Sequence, residues 1–322
     1  MPPSHHDRAC PSHRAPVARR LGRPALAALT AVLVLGSGLS VAGSADAADP
    51  IPTPDTTAAP RARTLPRVEF TTASFNVLGA NHTAGRGGLG PGFSRGKMAA
   101  GLLRKHKVDV VGFQEMQREN FRGFRKILPK KKFGVYPGLH GKETIDLENS
   151  VAWKKDKFTV VRARTIKVPY FHGKTRRMPV VLLEHRRTGR RVYAANFHNP
   201  ATTRGHGNNE KWRDRATARQ IKLVKTLVRK HPHPILFTGD FNEHEEYFCK
   251  LTGATQMYSA SGGSRSHDCR VPKPRIVDLV FGSRAKGVRF AWYKADKSAQ
   301  VRRTTDHPLI VARTVVRARK VR

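Results

Sequence analysis

The stretch that decides how this chain is read runs from Pro234 to Phe248, "PILFTGDFNEHEEYF". An apolar run opens it, bounded by proline on one side and glycine on the other, which reads as a buried strand. "GDFN" (239–242) follows, with the composition of a tight turn, and then come three acids, Glu243, Glu245 and Glu246. Acids are scarce here: 23 Asp and Glu stand against 61 Lys and Arg, for a net charge of +38. An acid at the end of an apolar segment is therefore more informative than usual. Asp240 and Asn242, at i and i+2, are expected to point to the same side of an extended segment. The three glutamates are expected to form the exposed start of a helix, where acids complement the helix dipole.

The same pattern recurs on either side. "RVEFTTASFNVLG" reads as a first strand ending near Asn76, and "VDVVGFQE" as a second ending at Glu115. "NSVAWKK", "FTVVRARTI", "MPVVLLEHR", "RRVYAANFH", "RIVDLVFGS", "VRFAWYKA" and "HPLIVARTVV" read as further strands. Between them, "RGKMAAGLLRKHK", "NFRGFRKIL" and "NEKWRDRATARQIKLVKTLVRK" read as amphipathic helices, and "GRGGLGPG" (85–92) as a loop. Mixed strands and helices, with several strands apolar on both faces, predict an α/β layered fold with sheet buried under helix. Polar residues collect where the strands stop: Asn76, Glu115, His198, Asp240 with Asn242, Asp278, and Asp306 with His307. Strand ends in layered folds face one shared crevice, which is where ligands are held. Asp278 lies within an apolar strand, and a buried carboxylate without a partner is costly, so a partner is expected.

The N-terminal 47 residues have the layout of a secretory signal. Arg19, Arg20 and Arg23 precede the apolar run "ALAALTAVLVLGSGLSVA", and Ala45-x-Ala47 offers a cleavage site. Its removal takes away five Arg and two Asp and leaves +35. Residues 48–66, rich in Pro, Thr and Ala, read as a flexible linker, and residues 67–322 as the folded domain. Cys10 leaves with the signal. Cys249 and Cys269 remain and are expected to pair in an oxidising destination.

Taken in order, "SFNVL", "VVGFQE", "NFHNP", "GDFN", "RIVDLVF" and "TTDHPLIV" resemble the motifs of the endonuclease/exonuclease/phosphatase superfamily over about residues 68–315. Pancreatic-type deoxyribonucleases, abasic-site endonucleases, sphingomyelinases and inositol polyphosphate phosphatases belong to it. The resemblance implies a four-layer α/β sandwich, two mixed sheets face to face with helices outside. It also implies hydrolysis of a phosphate ester with a divalent metal, Mg2+ or Mn2+ first and Ca2+ next. A hard cation held by carboxylate neutralises the phosphate and orients it for attack.

By the same resemblance, Glu115 is the metal carboxylate, Asn76 the amide beside it that helps place metal or phosphate, and Asp306 an acid near the metal. Asp240 orients and deprotonates the attacking water, with Asn242 next to it. His307 contacts the scissile phosphate and Asp278 orients His307. His198 protonates the leaving oxygen, supported by Glu148 of "LENSVAW". Where deoxyribonuclease-like members often carry an Arg two residues after the metal Glu, this chain has Gln117.

Charge selects among substrates. Basic runs at "RKHK", "PKKKF", "KTRR", "HRRTGRR" and "RARKVR" favour a polyanion, and Lys130, Lys131 and Lys132 are candidates for backbone contacts. The expectation is a secreted, monomeric nuclease acting on DNA or RNA. The alternatives are a sphingomyelinase-like or other lipid phosphodiesterase or phosphatase, and an inactive polyanion- or cell-wall-binding protein; the basic surface also suits association with an anionic cell wall or membrane surface.

Overall fold

The computed structural model describes residues 63–82, 88–140, 148–264 and 268–321. The segment read as a signal, most of the linker, and residues 85–87 of the glycine-rich loop lie outside the described residues. Two mixed six-stranded sheets are present. The first has the order β12 (Val288–Asp296), β13 (Leu309–Val316), β2 (Val68–Asn76), β3 (Val110–Gln114), β5 (Ser150–Lys154), β4 (Phe133–Tyr136). The second has the order β10 (Met257–Ser259), β11 (Asp278–Ser283), β9 (Ile235–Asp240), β8 (Arg191–His198), β7 (Thr175–His185), β6 (Phe158–Pro169).

One pairing pattern serves both sheets. In each, a single central pair is parallel, β2 with β3 and β8 with β9, and every other neighbour is antiparallel. A parallel pair needs a crossover. Helix α1 (Gly92–Lys105) supplies one, and α3 (Glu210–Lys230) the other.

The pleat explains the four layers. Odd-numbered residues of β2 and β3, Ala73, Phe75, Val111 and Phe113, pack against α1 and α2 (Arg118–Ile127) through Leu102, Leu103, Phe121 and Phe124. Odd-numbered residues of β8, β9 and β11, among them Phe197, Phe237 and Phe281, pack against α3 and α4 (Glu245–Ala254). Even-numbered residues face the other sheet: Phe70, Val110, Ala194 and Leu236 share one cluster. Side chains at period two line one face. The strands therefore carry a helix-facing apolar set and a sheet-facing set that turns polar toward one end. There Gln114 Nε2 donates to Asn196 Oδ1 at 2.5 Å, Asn196 Nδ2 donates to the Phe113 carbonyl at 2.6 Å, and Thr238 Oγ1 donates to Asn196 Oδ1 at 3.1 Å. A Cβ on Gly112 would stand 1.9 Å from Thr238 Oγ1, so this close approach of the sheets requires glycine.

One smaller feature adjusts an expectation, and another meets one. Residues 63–65, counted above with the linker, form β1 (Arg63–Leu65), which pairs antiparallel with β14 (Arg319–Val321), so the last part of that linker is ordered strand. Cys249 on α4 is bonded to Cys269, with Cα atoms 5.8 Å apart. A short helix, α5 (Ala299–Arg302), precedes the loop that carries Asp306 and His307.

Candidate active site

Asn76, His198, Asp240 and Asp278 are all even-numbered and all stand at strand ends, on the faces the sheets turn to each other. His198 is the parallel partner of Asp240, and Asp278 is its antiparallel partner. Glu115 follows β3 and His307 precedes β13, so the six groups reach one point from both sheets.

Asn76 ties them together. Its Nδ2 donates to Glu115 Oε1 at 2.9 Å and to Asp240 Oδ2 at 3.0 Å, and lies 3.4 Å from His307 Nε2. The Leu78 N–H donates to Asn76 Oδ1 at 3.0 Å, which fixes the amide with its nitrogen toward the site. Asn76 is therefore a hydrogen-bond strut between two carboxylates, its amide oxygen held by the Leu78 N–H.

Glu115 accepts the Gly79 N–H on Oε2 at 2.8 Å and lies 4.0 Å from His198 Nε2. Burial pushes its carboxyl up, but His198, the Asn76 and Gly79 donors and His82 outweigh this and hold it below the usual value. Asp240 Oδ2 lies 3.6 Å from His198 Nε2 and 3.7 Å from His307 Nε2. His307 Nδ1 meets Asp278 Oδ2 at 2.8 Å, which gives Asp278 the partner it required. Burial and the nearby Asp240 push Asp278 up to about 7, against the pull of His307. Burial pushes His307 down, but Asp278, Asp240 and Asp306 raise it to about 10, so the imidazolium is the resting form.

Asp306 stands on the rim of a cleft of about 540 Å³ shared with His82 and His307. Its side chain is 62% exposed and its Oδ1 lies 4.0 Å from His307 Nε2. Asp240, Asp278 and His307 also lie close enough to surround a cation, but a protonated imidazole has no lone pair to give and Asp278 is bonded to it. The better hard-oxygen donors are Glu115, held ionised, and Asp306, open toward solvent. Carboxylate oxygens of this kind suit Mg2+ or Mn2+.

Three local expectations change. Asp240 and Asn242 do not lie in one extended segment: Asn242 is left-handed at φ 52°, and its N–H returns to Asp240 Oδ1 at 3.0 Å. The two share a side through a turn, and Asn242 Nδ2 is spent on the Asn199 carbonyl at 2.8 Å. Glu115 is left-handed too, at φ 57°; such conformations in non-glycine residues cluster at functional sites. Glu148 does not support His198. It accepts from Gln117 Nε2 at 3.1 Å and pairs with Arg176 at 3.2 Å, while His198 packs on the ring of Tyr170, 5.9 Å between centroids. Glu243 is half-buried rather than exposed, its side chain nearly covered and paired with Arg213 at 2.7 Å; Glu245 and Glu246 do open α4 at the surface.

Two residues escape a sequence reading. Arg95, one of many basic residues in an amphipathic helix, is fully buried, and its guanidinium donates to the carbonyls of Val77, Leu78, Gly79, Gly90 and Thr304. It fixes the loop whose Gly79 N–H holds Glu115. Tyr170 carries a hydroxyl pushed well up by burial, against the pull of Arg176, with Glu115 and Asp240 adding to the rise. From Tyr170 an aromatic ledge runs outward: Phe171 at 4.4 Å, then His206 stacked on Phe171 at 3.9 Å.

The fold recurs in solved structures. An endonuclease/exonuclease/phosphatase family protein of Bacteroides thetaiotaomicron superposes with a TM-score of 0.61 at 17% identity, over 77% of this chain and 95% of that one. The human Nocturnin catalytic domain with bound sulfate gives 0.59 at 15% identity, over 81% and 98%. TDP2 of D. rerio complexed with single-strand DNA product gives 0.55 at 15% identity, over 76% and 98%. No curated protein matches in sequence at a significant level. The model of the Endonuclease/Exonuclease/phosphatase family matches residues 73–307, which include every site position from Asn76 to His307. The chain belongs to the endonuclease/exonuclease/phosphatase family, a family of metal-dependent phosphoesterases.

Proposed function

We propose that the chain is a secreted, divalent-metal-dependent phosphodiesterase that cuts nucleic acid by attack of water on phosphorus. The observation that carries the reaction is the convergence of Glu115, Asp240, His198 and the Asp278–His307 pair around the Asn76 strut. When bound, a divalent cation neutralises phosphate charge as a Lewis acid. Glu115 and Asp306 would hold it. Asp240, steadied by Asn76 and the Asn242 N–H, orients the water and takes its proton. His307, kept cationic by Asp278, donates from Nε2 to a phosphate oxygen and stabilises its developing charge. His198 gives a proton to the leaving oxygen.

Two features favour nucleic acid over lipid. The chain beyond residue 47 carries +35, and each backbone phosphate neutralised by Lys or Arg releases counterions. A lipid enzyme needs an apolar docking surface, whereas the exposed large apolar side chains among the described residues are Val160, Val161 and Trp292. The first two lie on β6 and the third on β12, outer strands of different sheets, so they make no patch. The Phe171–His206 ledge beside His198 offers a face on which a base can stack. Secretion rests on the layout of residues 1–47, and no described helix is long and apolar enough to cross a membrane.

The test is a substrate panel: purified protein at low salt with Mg2+, given DNA, RNA, sphingomyelin vesicles and a phosphomonoester. Cleavage of DNA or RNA is expected. Release of phosphocholine with both nucleic acids left intact would overturn the substrate assignment.

A further inference from the structure

The Lys130–Lys132 run does not border the active site. Lys131 and Lys132 sit in the turn that enters β4, where the Lys132 and Phe133 N–H groups donate to the Pro129 carbonyl. With Arg104, Lys107 and Lys154 they line a groove of about 570 Å³ whose acid is Asp156. Lys107 precedes β3, while Glu115 follows it. About 17 Å of strand, five residues at ~3.3 Å each, thus separates this groove from the metal carboxylate. It lies at the other end of the same sheet.

The groove is built to hold negative charge. Lys154 pairs with the buried Asp109 at 3.1 Å, a carboxylate it shares with Lys157 at 2.8 Å. No ion pair among the described residues engages the side chains of Arg104, Lys107, Lys131 or Lys132, and all four are exposed. The C-terminal ends of α1 and α2 account for some cations nearby, since carbonyl ends attract them. Lys131 and Lys132 lie beyond α2, past that influence, yet still face the groove. Its wall is apolar, with Leu103, Leu128 and Phe133 nearly fully buried. Concentrated like charge against low-dielectric walls focuses the field and attracts anions.

We propose that this groove binds a linear phosphate polyanion at a site separate from the catalytic centre. The protein then grips an anionic polymer without filling its own cleft. This does not depend on which phosphoester the active site hydrolyses.

The test compares two charge reversals of equal size, Lys131→Glu with Lys132→Glu in the groove, and Lys225→Glu with Arg229→Glu on the exposed face of α3. The probes are fluorescent inorganic polyphosphate and a single-stranded oligothymidylate of matched charge, titrated at several salt concentrations. The groove pair should raise Kd roughly tenfold or more and reduce the log–log salt slope by about 1.4, or ~0.7 for each phosphate that is no longer neutralised. The α3 pair should change both far less, and the groove pair should hydrolyse a small phosphodiester at the wild-type rate. Equal weakening on both probes would identify phosphate charge, whatever its spacing, as the feature read. A larger weakening on the oligonucleotide would show that its nucleosides add contacts in the groove. Either supports the site. Equal weakening by the two charge reversals would reduce the effect to bulk charge and overturn it, as would slower hydrolysis of the small substrate by the groove variant.

Discussion

Two histidine–aspartate pairs in this molecule look alike and behave oppositely. His307 meets Asp278 at 2.8 Å at the catalytic end, and His106 meets Asp296 at 2.6 Å where the end of α1 packs near the end of β12. Both aspartates are almost fully buried. Asp296 is also pushed up by burial, but the Ser298 N–H, donating at 2.9 Å, and His106 outweigh that and hold its carboxyl below the usual value. Asp278 has the opposite fate, raised to about 7, because burial is joined by Asp240, its strand neighbour, and by Asp306 close by. The bond itself is the same; the surrounding charge differs. One pair is satisfied locally, whereas the other stands among further negative charge, that of Asp240 and Asp306.

That contrast can be broken most forcefully by alanine. His307→Ala should lower phosphodiester hydrolysis by about 10³-fold, since it removes charge stabilisation at the reacting phosphate. His106→Ala should leave kcat within about twofold of wild type. Comparable decreases in the two variants would show that the pairs are not functionally distinct.

A subtler change tests the source of the imidazolium. His307 is raised to about 10, so its proton is retained through neutral pH and lost as pH climbs through that value. The alkaline limb of the pH–rate profile should therefore fall near pH 10. Asp278→Asn removes the main support, and His307 then loses its proton earlier, so the limb should move down toward the ordinary histidine value of about 6.5. Asp296→Asn should leave the limb in place. An unmoved limb in Asp278→Asn would assign the alkaline group to another residue.

Stability should rank the pairs the other way round. Removing one partner of a satisfied buried pair is costly, so Asp296→Asn should destabilise by about 3 kcal/mol at pH 7 in denaturant unfolding. The sign with pH follows from the lowered carboxyl: its contribution is full above the unfolded value near 3.8 and vanishes as pH falls through the folded value. Asp278→Asn neutralises a carboxylate already disfavoured by burial and by Asp240, and should cost no more than about 1 kcal/mol. The smallest effect is expected at Glu148, which is bonded to Gln117 and Arg176 rather than to His198. Glu148→Gln should lower kcat by less than about tenfold, and a decrease as deep as that of His307→Ala would restore it as the support of His198.

Much of this could be read before the structure. The long strands announce themselves because each serves two apolar layers, one under helices and one between sheets, so Phe75, Phe113, Phe197 and Phe237 recur beside small or β-branched residues. The polar strand ends stand out in a chain so poor in acids. The short strands β1, β4, β10 and β14 do not, because three or four residues hold too little period to register. Local partners were equally hidden. Nothing in "LENSVAW" says that Glu148 will find Arg176, and although "GDFN" has a turn's composition, nothing in it says that the Asn242 N–H will close that turn on Asp240. Arg95 is one of many basic residues, and only the path of the 77–79 loop reveals it as buried. That the lysines at 131–132 lie at the opposite end of the sheet from Glu115 is equally hidden, because loop position depends on strand direction, which composition does not carry.

The central claim, a metal-dependent phosphodiesterase whose cation is held by Glu115, is tested most directly by one assay on wild type and Glu115→Gln. Each is incubated with nucleic acid in Mg2+, then in excess chelator, then in restored Mg2+, with unfolding curves taken in parallel. Wild type should cut in Mg2+, stop in chelator and recover, while Glu115→Gln should be slower by about a hundredfold or more at nearly unchanged stability. Full turnover in chelator, or a Glu115→Gln variant as active as wild type, would contradict the account.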